Sequence, residues 1–269
     1  MSEREPLHTM QPTARFTDRV ADYVRYRPTY PRNAIDAAID GLGDPRTLTI
    51  ADIGAGTGIS TRLFASTGAR TIGIEPNDAM RDAGANDPAN LNLRIEWRSS
   101  TAEATGLADN AVDVVACAQA FHWFRPAEAL AEFHRILRPT GRVALIWNDR
   151  DTSDPLSRGY SRLINEASDG HAAANDHTRP NALYDSSLFT GTRELRFPHT
   201  QELDLPGLIG RATSASYIPR SGPRLELLTR GLTDLFTQHG QSGSVRLVYT
   251  TRVFIADRLP LGTPPLRAG

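Results

Sequence analysis

The sequence predicts a three-layer α/β fold: a seven-stranded, mostly parallel sheet with an antiparallel final strand, flanked by helices and carrying a helical cap. Three observations predict it. Short β-branched apolar runs alternate with helical segments from residue 47 to residue 149, the pattern of parallel strands joined by right-handed crossovers. The first strand runs directly into ADIGAGTGIS (51–60), where three glycines stand at alternate positions before a helix. Two late alternating stretches, 192–204 and 244–258, bring the strand count to seven.

In chain order, TLTIADI (47–53) is a β-branched apolar run suited to a buried strand. ISTRLFAS (59–66) follows with Ile59, Leu63 and Phe64 at helical spacing. RTIGIEP (70–76) is a second strand, stopped by Pro76, and NDAMRDAGAN (77–86) opens a helix on an N-cap, Asn77 or Asp78. NLRIEWRSS (92–100) alternates as a third strand, and AVDVVACAQAF (111–121), nearly all apolar, is a fourth. PAEALAEFHRIL (126–137) is a helix with Pro126 in its first turn and Pro139 beyond its end. RVALIWND (142–149) is the fifth strand. The span 150–191 is too long for a simple connection and reads as a cap insertion, with helices at PLSRGYSRLINEA (155–167) and near 181–189. Strand six (192–204) leads into helical segments at 205–217 and 224–240, before the closing strand at 244–258. Residues 15–258 thus read as a single domain with an N-terminal lid (15–45), between flexible tails at 1–14 and 259–269.

Composition narrows the partners. The 269 residues are 39% hydrophobic and 23% charged with a net charge of −1, so there is no global basic footprint for nucleic acid. The single cysteine, Cys117, excludes a disulfide within the chain and argues against a cysteine zinc cluster; no metal site is predicted. Mid-strand in VVACAQ, Cys117 reads as a small buried hydrophobe. No apolar run has the length of a membrane span, and MSEREPLHTMQPTARF has no apolar core of signal-peptide type. The expectation is a cytoplasmic protein, monomer or homodimer, with a small-molecule substrate and neither membrane nor nucleic acid as partner.

The glycines let a backbone approach a ligand closely. A phosphate-binding P-loop needs Gly-Lys-Ser/Thr at its end, and here Ile59 and Ser60 follow Gly58. A dinucleotide fingerprint needs G-x-G-x-x-G, and Ile59 stands where the third glycine belongs. Asp52, just before the loop, would repel a pyrophosphate and suits an ammonium. Glu75, at the tip of the second strand, is placed to accept from ribose hydroxyls. A nucleoside with a nearby cation and no phosphate has the character of S-adenosylmethionine.

ADIGAGTGIS with GIEPNDAM resembles the class I S-adenosylmethionine-dependent methyltransferases, with their Rossmann-like sheet. FTDRVADYVRYRPTYP (16–31), TAEATGLADNAVDVV (101–115), AQAFHWF (118–124) and SASYIPRSG with VYTTRVF are similar to the small-molecule branch related to trans-aconitate methyltransferases. The resemblance implies that Asp52, Gly54, Ala55 and Gly56 serve the methionine part, Glu75 the ribose, and Pro76 and Met80 the adenine. It places Thr101, Ala102 and Glu103 at the adenine edge; many relatives have aspartate where Thr101 stands. Gln119 and Ala120 would sit by the sulfonium, and Tyr23 and Arg27 would close over the methionine carboxylate. The implied reaction is methyl transfer to a small molecule, at oxygen of a carboxylate ahead of nitrogen or carbon. A non-methylating reaction of the same fold, such as a cyclisation, and nucleic-acid methylation are the alternatives.

Phe121, Trp123 and Phe124 are either core or the wall of a ligand site, since they follow the fourth strand where α/β sheets bind ligands. His122 is a general base for a hydroxyl acceptor or a packing histidine; a carboxylate needs no base. Trp147, Asn148 and Asp149 end the fifth strand on the ligand side, and Asn148 and Asp149 either touch substrate or cap a loop. Tyr160, Arg179, Tyr184, Ser216 and Tyr217 belong to the substrate pocket by resemblance. RYRP (25–28) reads as a lid or a solvated face.

Overall fold

The run Thr49–Ile53 forms β1, buried at every position, and the sheet grows from it in both directions. In the computed structural model, which describes residues 20–169 and 180–260, the strand order is β3-β2-β1-β4-β5-β7-β6. The strands are β2 (Arg70–Ile74), β3 (Ile95–Arg98), β4 (Val112–Ala118), β5 (Leu137–Arg150), β6 (Phe189–Leu203) and β7 (Val245–Arg258). The pairs among β1–β5 are parallel, and β7 is antiparallel to both β5 and β6. The final strand is antiparallel as predicted, but it does not close the sheet. It inserts between β5 and β6 and leaves the edge to β6.

Alternate residues of the central strands feed two cores. Ile50, Val114, Ala116, Ala144 and Ile146 face one side, where α2 (Arg32–Ile39) and α3 (Ile59–Ala65) bury Ala34, Ile35, Ala38 and Phe64. Ala51, Ile53, Val115, Cys117, Val143, Leu145 and Trp147 face the other, against Leu130, Phe133 and Ile136 of α5 (Pro126–Ile136). Burial on both faces is why these strands read as unbroken apolar runs. Chain order runs outward from β1 to β3 one way and from β4 to β5 the other. The crevice at this switch point opens beyond the carboxyl ends of β1 and β4. The glycine loop and the AQAFHWF stretch both emerge there.

A third core lies beyond the sheet. Pairing of β5 with β7 ends at Arg150↔Tyr249, and β6 and β7 run on as a two-stranded ribbon to Leu203↔Val245. Leu203, Val245, Leu247 and Tyr249 of the ribbon pack with α6 (Pro155–Ala167), α8 (Leu205–Thr213) and α9 (Pro223–His239). The cap core therefore extends beyond the 150–191 insertion: among the described residues, α6 is the part of it that comes from that span. The other helix expected there is a single turn, α7 (Asn181–Tyr184), whose Leu183 joins the α5 side of the sheet. The stripe Leu156, Tyr160, Ile164 and Ala167 announces a buried face, but its partners lie far along the chain. Residues 1–19 and 261–269, which hold the expected tail at 1–14, the start of the lid and most of the expected tail at 259–269, lie outside the described residues, as does Arg179.

At the other end of the sheet, Trp97 of β3 is wedged among glycines. A Cβ would come within 2.9 Å of its ring at Gly73, 2.8 Å at Gly58 and 2.4 Å at Gly84. Gly84 lies inside α4 (Asp78–Ala85), where helix propensity alone favours alanine by about 1 kcal/mol. Overpacking opposes that preference. Gly84→Ala is expected to destabilise the protein by about 1–3 kcal/mol in urea unfolding; a net gain in stability would refute this packing account.

Candidate active site

The turn after β1 bends through left-handed backbone at Gly54 (φ 69°) and Gly56 (φ 56°). Gly54 is pressed against the segment after β4: a Cβ there would stand 2.6 Å from the Ala120 Cβ and 3.1 Å from the Phe124 ring. A Cβ on Gly56 would meet the Met80 methyl at 3.4 Å and the Tyr23 ring at 4.0 Å. Backbone of β1, the start of α4, the tip of β4 and α1 (Val20–Tyr26) thus converge on one loop.

The loop amides are engaged within the protein. Gly54 N and Ala55 N donate to Ile74 O at 2.9 and 3.1 Å, Gly58 N to Ala55 O at 2.9 Å, and Gly56 N to Glu75 Oε2 at 2.9 Å. These four donors are unavailable to a phosphate, which agrees with the missing lysine. Glu75 follows β2 directly and is 9% exposed. Its second oxygen accepts from Asn77 N at 2.9 Å. Burial raises its pKa, and the two backbone amides oppose the rise. Asn77, rather than Asp78, caps α4 by accepting from Met80 N at 2.9 Å.

Strand alternation turns Asp52 toward α3. Its Oδ2 accepts from Ser60 Oγ at 2.7 Å and Thr61 Oγ1 at 2.6 Å, in the helix's first turn. Its Oδ1 has no hydrogen-bond partner, and the side chain is fully buried. Burial pushes its pKa up to about 6, against the two hydroxyl bonds. Asp52 is therefore buried with one oxygen in hand.

The N-terminal segment is a strap between loop and cap. Tyr26 covers Gly210 of α8 so closely that a Cβ there would lie 2.2 Å from its ring. Gln201 Nε2 donates to Tyr26 O at 2.8 Å, and Arg27 Nη2 to Ser214 O at 3.1 Å. The Arg27 guanidinium stacks over Tyr23 at 4.6 Å. Burial and the nearby Arg211 charge hold Arg27 below the ordinary arginine range.

Several expected site residues have structural partners instead. Phe121 is 2% exposed and packs edge-on to Phe124 at 6.1 Å. Trp147 is 1% exposed against Phe254, on the α5 side of the sheet, whereas β1 alternation turns Asp52 to the other side. Strand parity, invisible until the register is known, puts Trp147 in the core, and Phe121 joins it from the 3-10 turn after β4. Asn148 donates to Thr29 O at 2.9 Å and accepts from Thr251 Oγ1 at 2.6 Å, clipping the N-terminal segment to the sheet. Asp149 pairs with Arg252 at 3.1 Å. Glu103 accepts from Arg125 N at 2.9 Å at the start of α5, which leaves its backbone and that of buried Ala102 at the TAE turn; Thr101 is exposed. Gln119, in left-handed backbone (φ 57°), donates to Asn148 O at 3.3 Å. His122 and Trp123 are half-buried on a 3-10 turn, their rings 5.1 Å apart. Tyr160 and Tyr217 join the cap core, Ser216 is half-buried beside it in sequence, and Tyr184 is 48% exposed. Arg211 and Tyr249 were not expected. The signal for Arg211 was an arginine three residues after Leu208 on the apolar stripe of its helix.

A family model described as a methyltransferase domain matches residues 51–145, the span from the glycine loop to β5. The cap helices lie outside it. An uncharacterized methyltransferase of Schizosaccharomyces pombe is 33% identical over 206 residues, 76% of this chain and 80% of its own. One from Mycobacterium tuberculosis is 34% identical over 203 residues, 75% of this chain and 76% of its own. A solved structure assigned as a type II methyltransferase from Anaeromyxobacter dehalogenans matches with a TM-score of 0.60 at 20% identity, covering 87% of this chain and 99% of that one. That likeness bears on the fold.

The raised pKa of Asp52 makes a stability prediction. Its protonated form is favoured in the folded state, so that contribution is present below the ordinary value of 3.8 and lost as pH rises through about 6. Asp52→Asn removes the titration. Relative to that variant, the wild type is expected to lose about 2–3 kcal/mol between pH 4 and pH 7 in urea unfolding. Parallel stability profiles for the two proteins would contradict the buried-carboxylate account.

Proposed function

Because this chain belongs to the methyltransferase-domain family and is an S-adenosylmethionine-dependent methyltransferase, we propose that it methylates a small-molecule acceptor at oxygen, foremost a carboxylate oxygen. The observation that carries this reading is the convergence of the glycine loop, Glu75, Met80, Tyr23 and Ala120 at the carboxyl ends of β1, β2 and β4.

The residues fit the cofactor. Asp52 keeps an unpartnered buried oxygen, and Gly56 is bare where Tyr23 and Met80 close in. When bound, S-adenosylmethionine supplies an electrophilic methyl group on a sulfonium. Glu75, already oriented by Gly56 N and Asn77 N, retains lone pairs for ribose hydroxyls. Asp52, Gly54, Ala55 and Gly56 would hold the methionine part, with Asp52 suited to its ammonium and Arg27 to its carboxylate. Pro76 and Met80 would line the adenine, with the Thr101, Ala102 and Glu103 backbone at its edge. Gln119 and Ala120 would stand by the sulfonium. Catalysis by this chain would be orientation and exclusion of water, with α1 strapped over the loop as the closing element. The likeness to trans-aconitate methyltransferases supports a carboxylate nucleophile, which has no proton to lose. His122 would accept the proton only from a hydroxyl acceptor.

Two measurements test this. Titration calorimetry with S-adenosylhomocysteine is expected to show binding that Glu75→Ala weakens about 10- to 100-fold; equal affinity in the variant would remove Glu75 from the site. Incubation with S-adenosylmethionine and a panel of carboxylic acids is expected to yield base-labile methyl esters, with His122→Gln active. Stable N- or C-methyl products from an acceptor screen would overturn the oxygen assignment.

A further inference from the structure

We propose that Asn148 is a positioning residue of the methyl-transfer site: with Thr251 behind it, it pins the link between α1 and α2 at Thr29 and so seats Tyr23 over the glycine loop. The proposal rests on the reading above that α1 closes over the cofactor, and adds the residues that hold it in place.

The link is Arg27-Pro28-Thr29-Tyr30-Pro31. Each proline fixes its own φ and biases the residue before it toward extended backbone, so the link is stiff. A pin at its centre therefore sets the direction in which α1 leaves it. The pin is Asn148 Nδ2, which donates to Thr29 O at 2.9 Å across 119 residues of chain. Thr29 O can only accept, so the amide cannot turn over without losing this bond. The other end of the amide is held too, since Oδ1 accepts from Thr251 Oγ1 at 2.6 Å. Thr251 is the β7 partner of Asn148 in the strand register and is fully buried. A hydroxyl inside the sheet thus aims an amide at the strap.

The other ties of α1 lead to the cap. Tyr26 covers Gly210, Arg27 donates to Ser214 O, and Tyr26 O accepts from Gln201, which lies on the ribbon beyond the last β5 pair. These contacts alone would let α1 follow the cap. Tyr30 is buried in the α2-side core and anchors the far end of the link. Asn148 fixes the link one residue nearer α1, from a strand of the same sheet that carries the glycine loop.

The same residue also holds the tip of β4. Its backbone O accepts from Gln119 Nε2 at 3.3 Å, and Gln119 N donates to Ile146 O at 2.8 Å. Gln119 is kept in left-handed backbone (φ 57°), which a non-glycine residue adopts only when its surroundings hold it there. Strap and β4 tip are therefore referenced to one position of β5. Asparagine is depleted in strands, and the ladder itself does not need one here. Its side chain serves the strap.

The test follows hydrogen–deuterium exchange and calorimetry on the full chain, with and without S-adenosylhomocysteine. In the wild type, saturating ligand is expected to slow the amides of residues 20–27. Asn148→Ala is expected to bind the ligand about 3- to 10-fold more weakly. At saturation its amides at 20–27 are expected to stay near their ligand-free rate, with those of β1 and β4 unchanged. Thr251→Val, which alters no group in contact with the strap, is expected to act in the same direction, and Thr251→Ser, which keeps the hydroxyl, to match the wild type. Should Asn148→Ala fail to fold, Asn148→Asp takes its place with the same expectation: it keeps the Thr251 bond, and as a carboxylate it has no hydrogen to give Thr29 O. Variants that match the wild type in affinity and in exchange at 20–27 would overturn the role of Asn148. So would faster exchange spread evenly over the sheet, which is the mark of a purely structural residue. Ligand binding without slowing at 20–27 in the wild type would strike the closing role of α1, and this proposal with it. Absence of any binding would instead strike the cofactor reading beneath both.

Discussion

The Glu75 carboxylate is the joint on which the site depends. One oxygen accepts from Gly56 N and the other from Asn77 N, so a single side chain ties the β1 turn to the start of α4. It lies in a poorly solvated place, where each of those bonds is worth more than on a surface. With the turn fixed there, Gly54 can lie against Ala120 and Gly56 can face Tyr23 and Met80. Loss of the joint would free the turn from β2's tip and spread the consequences to α1 and to the segment after β4.

Cap and cofactor half are coupled through the N-terminal segment rather than through the sheet alone. Helix α1 has no buried residue of its own, and it is held by Tyr26 over Gly210, by Gln201 and by Arg27. A helix of seven residues would not persist alone in water, so its place over the glycine loop is set by these tertiary contacts. Any movement of α8 would be transmitted to Tyr23 and hence to the loop. That arrangement suits an enzyme that must admit an acceptor and then exclude water.

Buried charge is distributed unevenly between the two halves. The cofactor half keeps carboxylates, Asp52 and Glu75, that are met by hydroxyls and backbone amides. The cap half keeps a guanidinium, Arg211, that is 7% exposed. Surface ion pairs such as Arg46–Asp44 and Arg32–Asp36 are exposed and contribute little by comparison.

Local rules made much of this protein legible in its sequence. Periodicity and turn chemistry located the seven strands and the helices flanking the sheet, because strands buried on both faces must be apolar throughout and helices must show a stripe. The order Asp52, Gly54, Gly56, Glu75 pointed to a nucleoside without phosphate, because it is set within one strand–turn–helix unit and the next strand. What required tertiary structure was everything that depends on partners distant in the chain. Strand parity decided that Trp147 belongs to the core, and the packing of the turn after β4 decided it for Phe121. A contact across the sheet decided that Asn148 is a clip. The cap's membership was decided by helices that find α6 only when the β6–β7 ribbon folds back, and the burial of Arg211 was decided with it. A sequence lists charges and apolar residues; whether a charge has a partner is a property of the fold.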